Sequence, residues 1–328
     1  MANIGIGLLG AAQITEQAIV HPVRVTPQCG LVAIAARDRA RAAAYAKQHH
    51  VAQVLDSYDE VISAEEVDLV YNPLPINLRA EWTMKALQAG KHVLCEKPFA
   101  MNVDEAKAML AAAETSGKRL VEAFHYRYHP AFETCLAWLA ADEIGEVRDI
   151  EAIFNVHIRD NGTDIRHRVE TGGGAMMDLG CYPLHWALSV MGEAPTATEA
   201  TATLTPTGVD ETLSADLSFA SGAHARLTTS MAPGTPFRAD LKLIGTKGEI
   251  EFINPLAPHQ GARLRTKAGR EAEISPISTY TYQLASVLRA IQLGTPLPTE
   301  GDMILTQQQA LDEVYAAAGL RHLRYLSE

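Results

Sequence analysis

Cysteine is scarce in this chain of 328 residues: only Cys29, Cys95, Cys135 and Cys181, far apart and without a Cys-x-x-Cys pair. That usage suits a reducing cytoplasm better than a disulfide framework. Long apolar runs are missing too, and none approaches the ~20 residues that a membrane helix needs. A signal-peptide n-region is absent, since the first basic side chain is Arg24. Excess positive charge is lacking as well: the net charge is −11, which argues against a nucleic-acid or anionic-membrane partner while leaving room for a local basic pocket. There is no internal repeat and no low-complexity segment. What remains is ordinary globular composition, 47% hydrophobic and 20% charged, in a length that favours two domains or one large one. The expectation is a soluble, cytoplasmic protein.

The first third alternates short apolar runs with amphipathic ones. Ile4 to Leu9 is a strand that runs into Gly10-Ala-Ala-Gln-Ile14 and a helix. Gly7-x-x-Gly10-x-Ala12 fits a dinucleotide fingerprint with alanine in the third small position. On this reading Gly7 permits the tight turn and Gly10 lets backbone approach a pyrophosphate. Ala12 lets helix pack on strand, and the helix N-terminus around Ala11, Gln13 and Ile14 faces the phosphates. Leu31 to Ala36 is the second strand. An NAD site would place an acid at its end, whereas this chain has Arg37, with Arg41 one helical turn on. Arginine forks pair well with a 2′-phosphate, so the pattern favours NADP over NAD. Asp38 keeps open a plainer reading, in which both arginines are solvated first-turn residues of the helix Arg39 to His49.

Leu69 to Tyr71 continues the alternation and is followed by the rigid loop Asn72-Pro-Leu-Pro75 and the helix Arg79 to Ala89. The stretch Gly90-Lys-His-Val-Leu-Cys-Glu-Lys-Pro98 then carries a short buried strand that stops at Glu96-Lys97-Pro98. A lysine there sits at the carboxyl end of a sheet strand, where open α/β sheets bind ligands, and the proline biases Lys97 towards extended backbone. The helix Val103 to Thr115 and the sixth strand, Arg119 to Ala123, complete a βαβ series. It implies a doubly wound parallel sheet over residues 1–124.

After His125-Tyr-Arg-Tyr-His-Pro130 the pattern changes. The helix Ala131 to Ala141 leads into seven β-rich runs between Val147 and Thr266, with turn signals such as Ser221-Gly222 and Gly245-Thr-Lys-Gly248 that favour antiparallel hairpins. Helices Tyr280–Leu293 and Ile304–Leu323 close the chain. Residues 125–328 thus read as an α+β domain with a large, mainly antiparallel open sheet. Too few helices are present to cover both its faces, so a homodimer or homotetramer is expected through the exposed one. Within this half lies Gly172-Gly-Gly-Ala-Met-Met-Asp-Leu-Gly-Cys-Tyr-Pro-Leu-His185. A helix from about Met176 would put Asp178 and Tyr182, spaced i, i+4, on one face, with His185 close by.

These motifs together resemble the Gfo/Idh/MocA family of nicotinamide-dependent oxidoreductases. The carriers are Gly7-Leu-Leu-Gly-Ala-Ala12, Asn72-Pro-Leu-Pro75, Ala89 to Pro98, Glu122-Ala-Phe-His-Tyr-Arg127 and Gly172-Gly-Gly-x-x-x-Asp-x-Gly-Cys-Tyr182. The resemblance spans essentially the whole chain. It implies a Rossmann domain plus an open-sheet domain with the active site between them, and Lys97 as the functional lysine. Tyr182, where some relatives carry histidine, is similar to dimeric dihydrodiol dehydrogenases, glucose–fructose oxidoreductases and NADP-linked aldose dehydrogenases. The resemblance also places Asn72, Pro73, Leu74 and Glu96 at the cofactor, and Arg79, His125, Tyr126, Arg127 and His185 at a polyhydroxy substrate. Relatives often read Pro-Asn-x-x-His where this chain reads Pro75-Ile-Asn-Leu-Arg79, which puts the local contacts in question.

The implied chemistry is hydride transfer between nicotinamide and the hydroxyl or carbonyl carbon of a sugar, polyol or cyclic diol. A tyrosine with an unperturbed pKa of about 10 is a poor base near neutrality. A lysine ammonium and an oxidised nicotinamide would favour its phenolate, so Lys97 and Tyr182 make sense as a pair, with Asp178 orienting lysine or substrate. The histidines show no compact metal-ligand set. Cys181 has no identified base for thiol chemistry. A non-catalytic NADP-binding sensor is the alternative, disfavoured because a sensor needs no proton-transfer pair.

Overall fold

The computed structural model describes residues 3–326, which form two units. The first comprises, among these, residues 3–100, 104–125 and 278–304, so the segment Ser278–Ile304 joins a unit otherwise built from the start of the chain.

In this unit β1 (Ile4–Leu9) leads to α1 (Gln13–Thr15), a π-helical turn at Glu16–Val20 and α2 (His21–Arg24). Then follow β2 (Cys29–Ala35), α3 (Arg39–His49), β3 (Gln53–Val54), α4 (Tyr58–Ser63), β4 (Leu69–Asn72), α5 (Ile76–Gln88), β5 (His92–Cys95), α6 (Val103–Ser116) and β6 (Leu120–Glu122). The β3–α4 pair falls where no regular apolar period was visible, because β3 has only two residues and α4 a single apolar pair, Val61-Ile62. All six strands are parallel, in the order β3-β2-β1-β4-β5-β6. This is the doubly wound order whose switch point lies between β1 and β4, where ligands bind beyond the carboxyl ends of strands. β1, β4 and β5 are buried almost throughout, as expected of strands covered by helices on both faces. The β6 edge is closed by the 299–300 segment: Glu122 N–H donates to the Thr299 carbonyl (2.9 Å) and Thr299 Oγ1 to the Glu122 carbonyl (2.7 Å).

The second unit comprises residues 101–103, 126–277 and 305–326. It holds α7 (Pro130–Ala140), β7 (Val147–Asn155), a π-helical turn at Met176–Gly180, α8 (Cys181–Met191), β8 (Pro195–Leu204), β9 (Asp210–Phe219), β10 (His224–Ser230), β11 (Arg238–Gly245), β12 (Glu249–Ile253) and β13 (Arg263–Thr266). After α9 (Thr279–Leu293), which belongs to the first unit, α10 (Asp302–Ala317) closes the chain and stops short of the expected Leu323. The seven strands run β13-β12-β11-β7-β10-β9-β8, antiparallel except for the parallel pair β7–β10. One face is apolar and buried, through Ile150, Ala152, Phe154, Leu213, Ala215, Leu227, Leu241, Leu243 and Phe252. The opposite face carries cross-strand ion pairs, Arg226–Asp216 at 2.7 Å and Arg265–Glu251 at 2.6 Å. Among the described residues no helix is long and apolar enough to cross a membrane.

Candidate active site

The glycine turn follows β1. Gly10 has φ +93°, a backbone that side chains avoid, and its N–H donates to the Ala35 carbonyl at 2.7 Å. The tight turn is therefore made by Gly10. Gly7, expected to make it, lies inside β1, and a Cβ there would stand 2.8 Å from Val61 Cγ1, so its role is to let α4 pack close. The helix that follows is preceded by Ala12 and has no side-chain cap, which leaves its N-terminus at Gln13 and Ile14 open to an anion. Arg41 donates through Nη2 to the Ala11 carbonyl (2.7 Å) and so stands against the same turn. Arg37 is exposed just beyond β2. Asp38 caps α3, accepting from Ala40 N–H (2.8 Å) and Arg41 N–H (3.1 Å), so this acid is occupied by its own helix. The turn thus brings together a positive-φ glycine, an uncapped helix start and Arg41, with Arg37 exposed beyond the neighbouring strand.

Beyond β4 and β5 the loops are tied to one another. Asn72 is fully buried and folds its own loop: its Oδ1 accepts from Leu74 N–H (3.2 Å), while Nδ2 donates to Thr83 Oγ1 (3.0 Å) and the Arg79 carbonyl (3.3 Å). Pro73 and Leu74 are buried. Glu96 is buried, accepting from Tyr71 O–H at 2.8 Å and from Lys97 N–H at 3.2 Å. Burial pushes its carboxyl above the usual range, against the opposing charges of Arg79 and Lys97. Lys97 itself is half-buried, ahead of a cis bond to Pro98.

Arg79, expected at substrate, is turned inward and 6% exposed. It donates from Nε to the Leu74 carbonyl (2.8 Å), from Nη1 to the Glu96 carbonyl (3.0 Å), and also to the Pro98 carbonyl. Its charge opposes the desolvation of Glu122, whose buried carboxyl is pushed up to about 8. His125 Nδ1 pairs with Thr279 Oγ1 (2.8 Å), and its ring lies 3.9 Å from that of Tyr280.

In the second unit the Gly172–His185 stretch is organised by two partners that the sequence did not reveal. Asp210, fully buried with its carboxyl raised to about 6 by desolvation, accepts from Met176 N–H (2.6 Å) and Tyr315 O–H (2.7 Å), anchoring the helix start. Arg166 donates from Nε to Asp178 Oδ2 at 2.7 Å. Neither had a local signal, since each lies in a separate element. The π-helical turn at Met176–Gly180 replaces the regular helix that was expected, so the i, i+4 argument for a shared face of Asp178 and Tyr182 does not carry over. Tyr182 is 4% exposed and packs its ring near those of Phe154 (5.7 Å), Tyr126 (6.2 Å) and Trp186 (6.5 Å). Tyr126 and His185 are both fully buried and hydrogen-bonded to each other, and burial drives the imidazole pKa well down. That placement packs both into the ring cluster around Tyr182. Arg127 pairs with Glu133 and lies over the Phe132 ring. Burial also raises the thiols of Cys29 to about 11 and of Cys95 and Cys135 to about 12, out of the reactive range.

Residues 4–124 match the GFO_IDH_MocA family, described as an oxidoreductase family with an NAD-binding Rossmann fold, and residues 132–251 match the GFO/IDH/MocA C-terminal domain. An uncharacterised oxidoreductase of Rhizobium meliloti is 32% identical over 97% of this chain and 98% of its own length. The chain belongs to the Gfo/Idh/MocA family. Another similar protein is the D-xylose 1-dehydrogenase (NADP(+)) 2 of Haloferax volcanii, 32% identical over 95% of this chain and 96% of the other. Among solved structures, a 3-ketoreductase from Actinomadura kijaniata in complex with NADP and TDP-benzene superposes with a TM-score of 0.88 at 26% identity, covering 96% of this chain and 97% of that one. As a member of the family the chain is an NAD(P)-binding oxidoreductase.

Proposed function

We propose that this Gfo/Idh/MocA protein is an NADP-preferring dehydrogenase or reductase acting on a CH–OH group of a sugar, polyol or cyclic diol. The observation that carries the reading is near full-length similarity to a xylose dehydrogenase named for NADP(+), in a chain that sets Arg41 against its glycine turn and Arg37 just beyond β2. NADP, when bound, supplies the hydride acceptor or donor. Gly10 and the uncapped start at Gln13 receive the pyrophosphate, and Arg37 and Arg41 the 2′-phosphate. Tyr182 takes the hydroxyl proton in oxidation and returns it in reduction. Lys97 favours the phenolate and the developing alkoxide through its charge. Asp178, steadied by Arg166, orients substrate or lysine. A homodimer or homotetramer formed through the outer sheet face and a cytoplasmic location complete the reading, and light scattering at tens of micromolar checks the first.

The direct test is a panel of aldoses, polyols and dihydrodiols with NADP⁺ and with NAD⁺, followed by nicotinamide absorbance. Turnover of at least one compound, faster with NADP⁺, is expected. NADP binding with no turnover across the panel would favour a sensor.

A further inference from the structure

One side chain closes both loops beyond the carboxyl ends of β4 and β5. The two peptide carbonyls that flank Lys97, those of Glu96 and Pro98, accept from the same Nη1 of Arg79, and the Leu74 carbonyl accepts from Nε. These bonds lie on both sides of Lys97 in the chain, so they restrict the backbone from which its side chain springs. Arg79 is held in turn on α5, whose Thr83 pairs with Asn72 Nδ2 at 3.0 Å.

Burying a guanidinium is costly unless it is paired. Here the compensation comes from three carbonyls and from the buried carboxyl of Glu96, whose ionisation Arg79 favours against desolvation. A planar fork can meet several carbonyls at fixed angles, and an ammonium on a flexible stem cannot.

We propose that Arg79 is the positioning residue of Lys97: it touches neither substrate nor cofactor, and acts by holding the Glu96–Pro98 backbone in register with the Asn72–Pro75 loop. This rests on the reading of Lys97 as the functional lysine. It departs from the substrate role that the sequence suggested for Arg79.

The test is a double-mutant cycle of Arg79→Lys with Lys97→Met, in which turnover of the best panel substrate, NADP⁺ affinity by tryptophan fluorescence and melting temperature are all read. Arg79→Lys retains a cation between the buried carboxyls and so spares the fold, whereas Arg79→Met removes it. The expected result is a fall in kcat of up to about 10²-fold in Arg79→Lys, the scale of a misplaced catalytic group. NADP⁺ affinity should stay within about twofold of wild type, because no cofactor contact is removed. On the Lys97→Met background the Arg79 substitution should cost almost nothing further, since it acts through a group already gone. Full additivity, or a loss confined to NADP⁺ affinity, would overturn the positioning role while leaving Lys97 in place. Near wild-type turnover of Lys97→Met alone would instead overturn the reading beneath it.

Discussion

Arg166 Nε stands 2.7 Å from Asp178 Oδ2, and Asp164, which also pairs with Arg166 at 3.4 Å, shares the guanidinium. The carboxylate pointed out by its glycine-led motif is thus oriented by a residue twelve positions earlier, in the short 3-10 turn Ile165–His167. The Asp178 charge in turn raises the arginine pKa further. Arg166→Gln keeps a hydrogen-bonding side chain but removes the charge. Turnover should drop by about 10-fold, equivalent to ~1.4 kcal/mol in the barrier, with NADP⁺ affinity unchanged. Steady-state kinetics on the best panel substrate read this directly, and an unaltered kcat would remove Asp178 orientation from the mechanism.

Tyr182→Phe retains the ring that packs against Phe154 and Trp186 while deleting the proton carrier. A loss of roughly 10²–10⁴ in turnover is expected, the usual range for acid–base catalysis. Lys97→Met should do comparable damage, and the two together should cost far less than the product of their separate effects. Stopped-flow absorbance of the nicotinamide would check both. Near-full turnover by Tyr182→Phe would mean that another group carries the proton.

Arg37→Ala should weaken NADP much more than NAD, because a charge-assisted phosphate contact is lost while the ribose contact is not. Dissociation constants for both cofactors, measured by fluorescence titration, decide this. Equal losses for the two would assign Arg37 to the solvated start of α3.

Glu122 gives a pH prediction for the first unit. Arg79, Glu96, Lys97 and the Phe99 N–H surround its carboxyl, and desolvation raises it from 4.5 to about 8. The folded protein therefore binds a proton here that the unfolded chain has released between these two values. Stability from this site is fully present below the unfolded pKa and is lost as pH rises through the folded one. Melting temperature should accordingly decline between about pH 5 and pH 8.5, and more shallowly in Glu122→Gln, whose amide cannot ionise. Parallel pH profiles for the two proteins would show that Glu122 does not titrate in that window.

The oxidoreductase fold was legible because periodicity is local. Strands such as Ile4–Leu9 and Glu249–Ile253 and the helix Arg39–His49 have the bounds that their apolar spacing predicts. The element missed, β3 with α4, is too short to carry a period. Chemistry-bearing residues were also legible as types: a lysine at a strand end, two arginines beyond β2, and an aspartate and a tyrosine after three glycines.

What each of them does was decided by partners distant in sequence. Gly7 and Gly10 look alike in a fingerprint, but only the approach of Val61 and the +93° φ tell packing from turning. Arg79 reads as a substrate contact until the Glu96 and Pro98 carbonyls, seventeen and nineteen residues away, are brought to it. Asp178 acquires its orientation from Arg166, and Met176 its anchor from Asp210 thirty-four residues on. A propensity or motif records what a residue and its near neighbours favour. Hydrogen bonding and desolvation depend on which groups the folded chain brings within a few ångströms, and only the tertiary structure contains that.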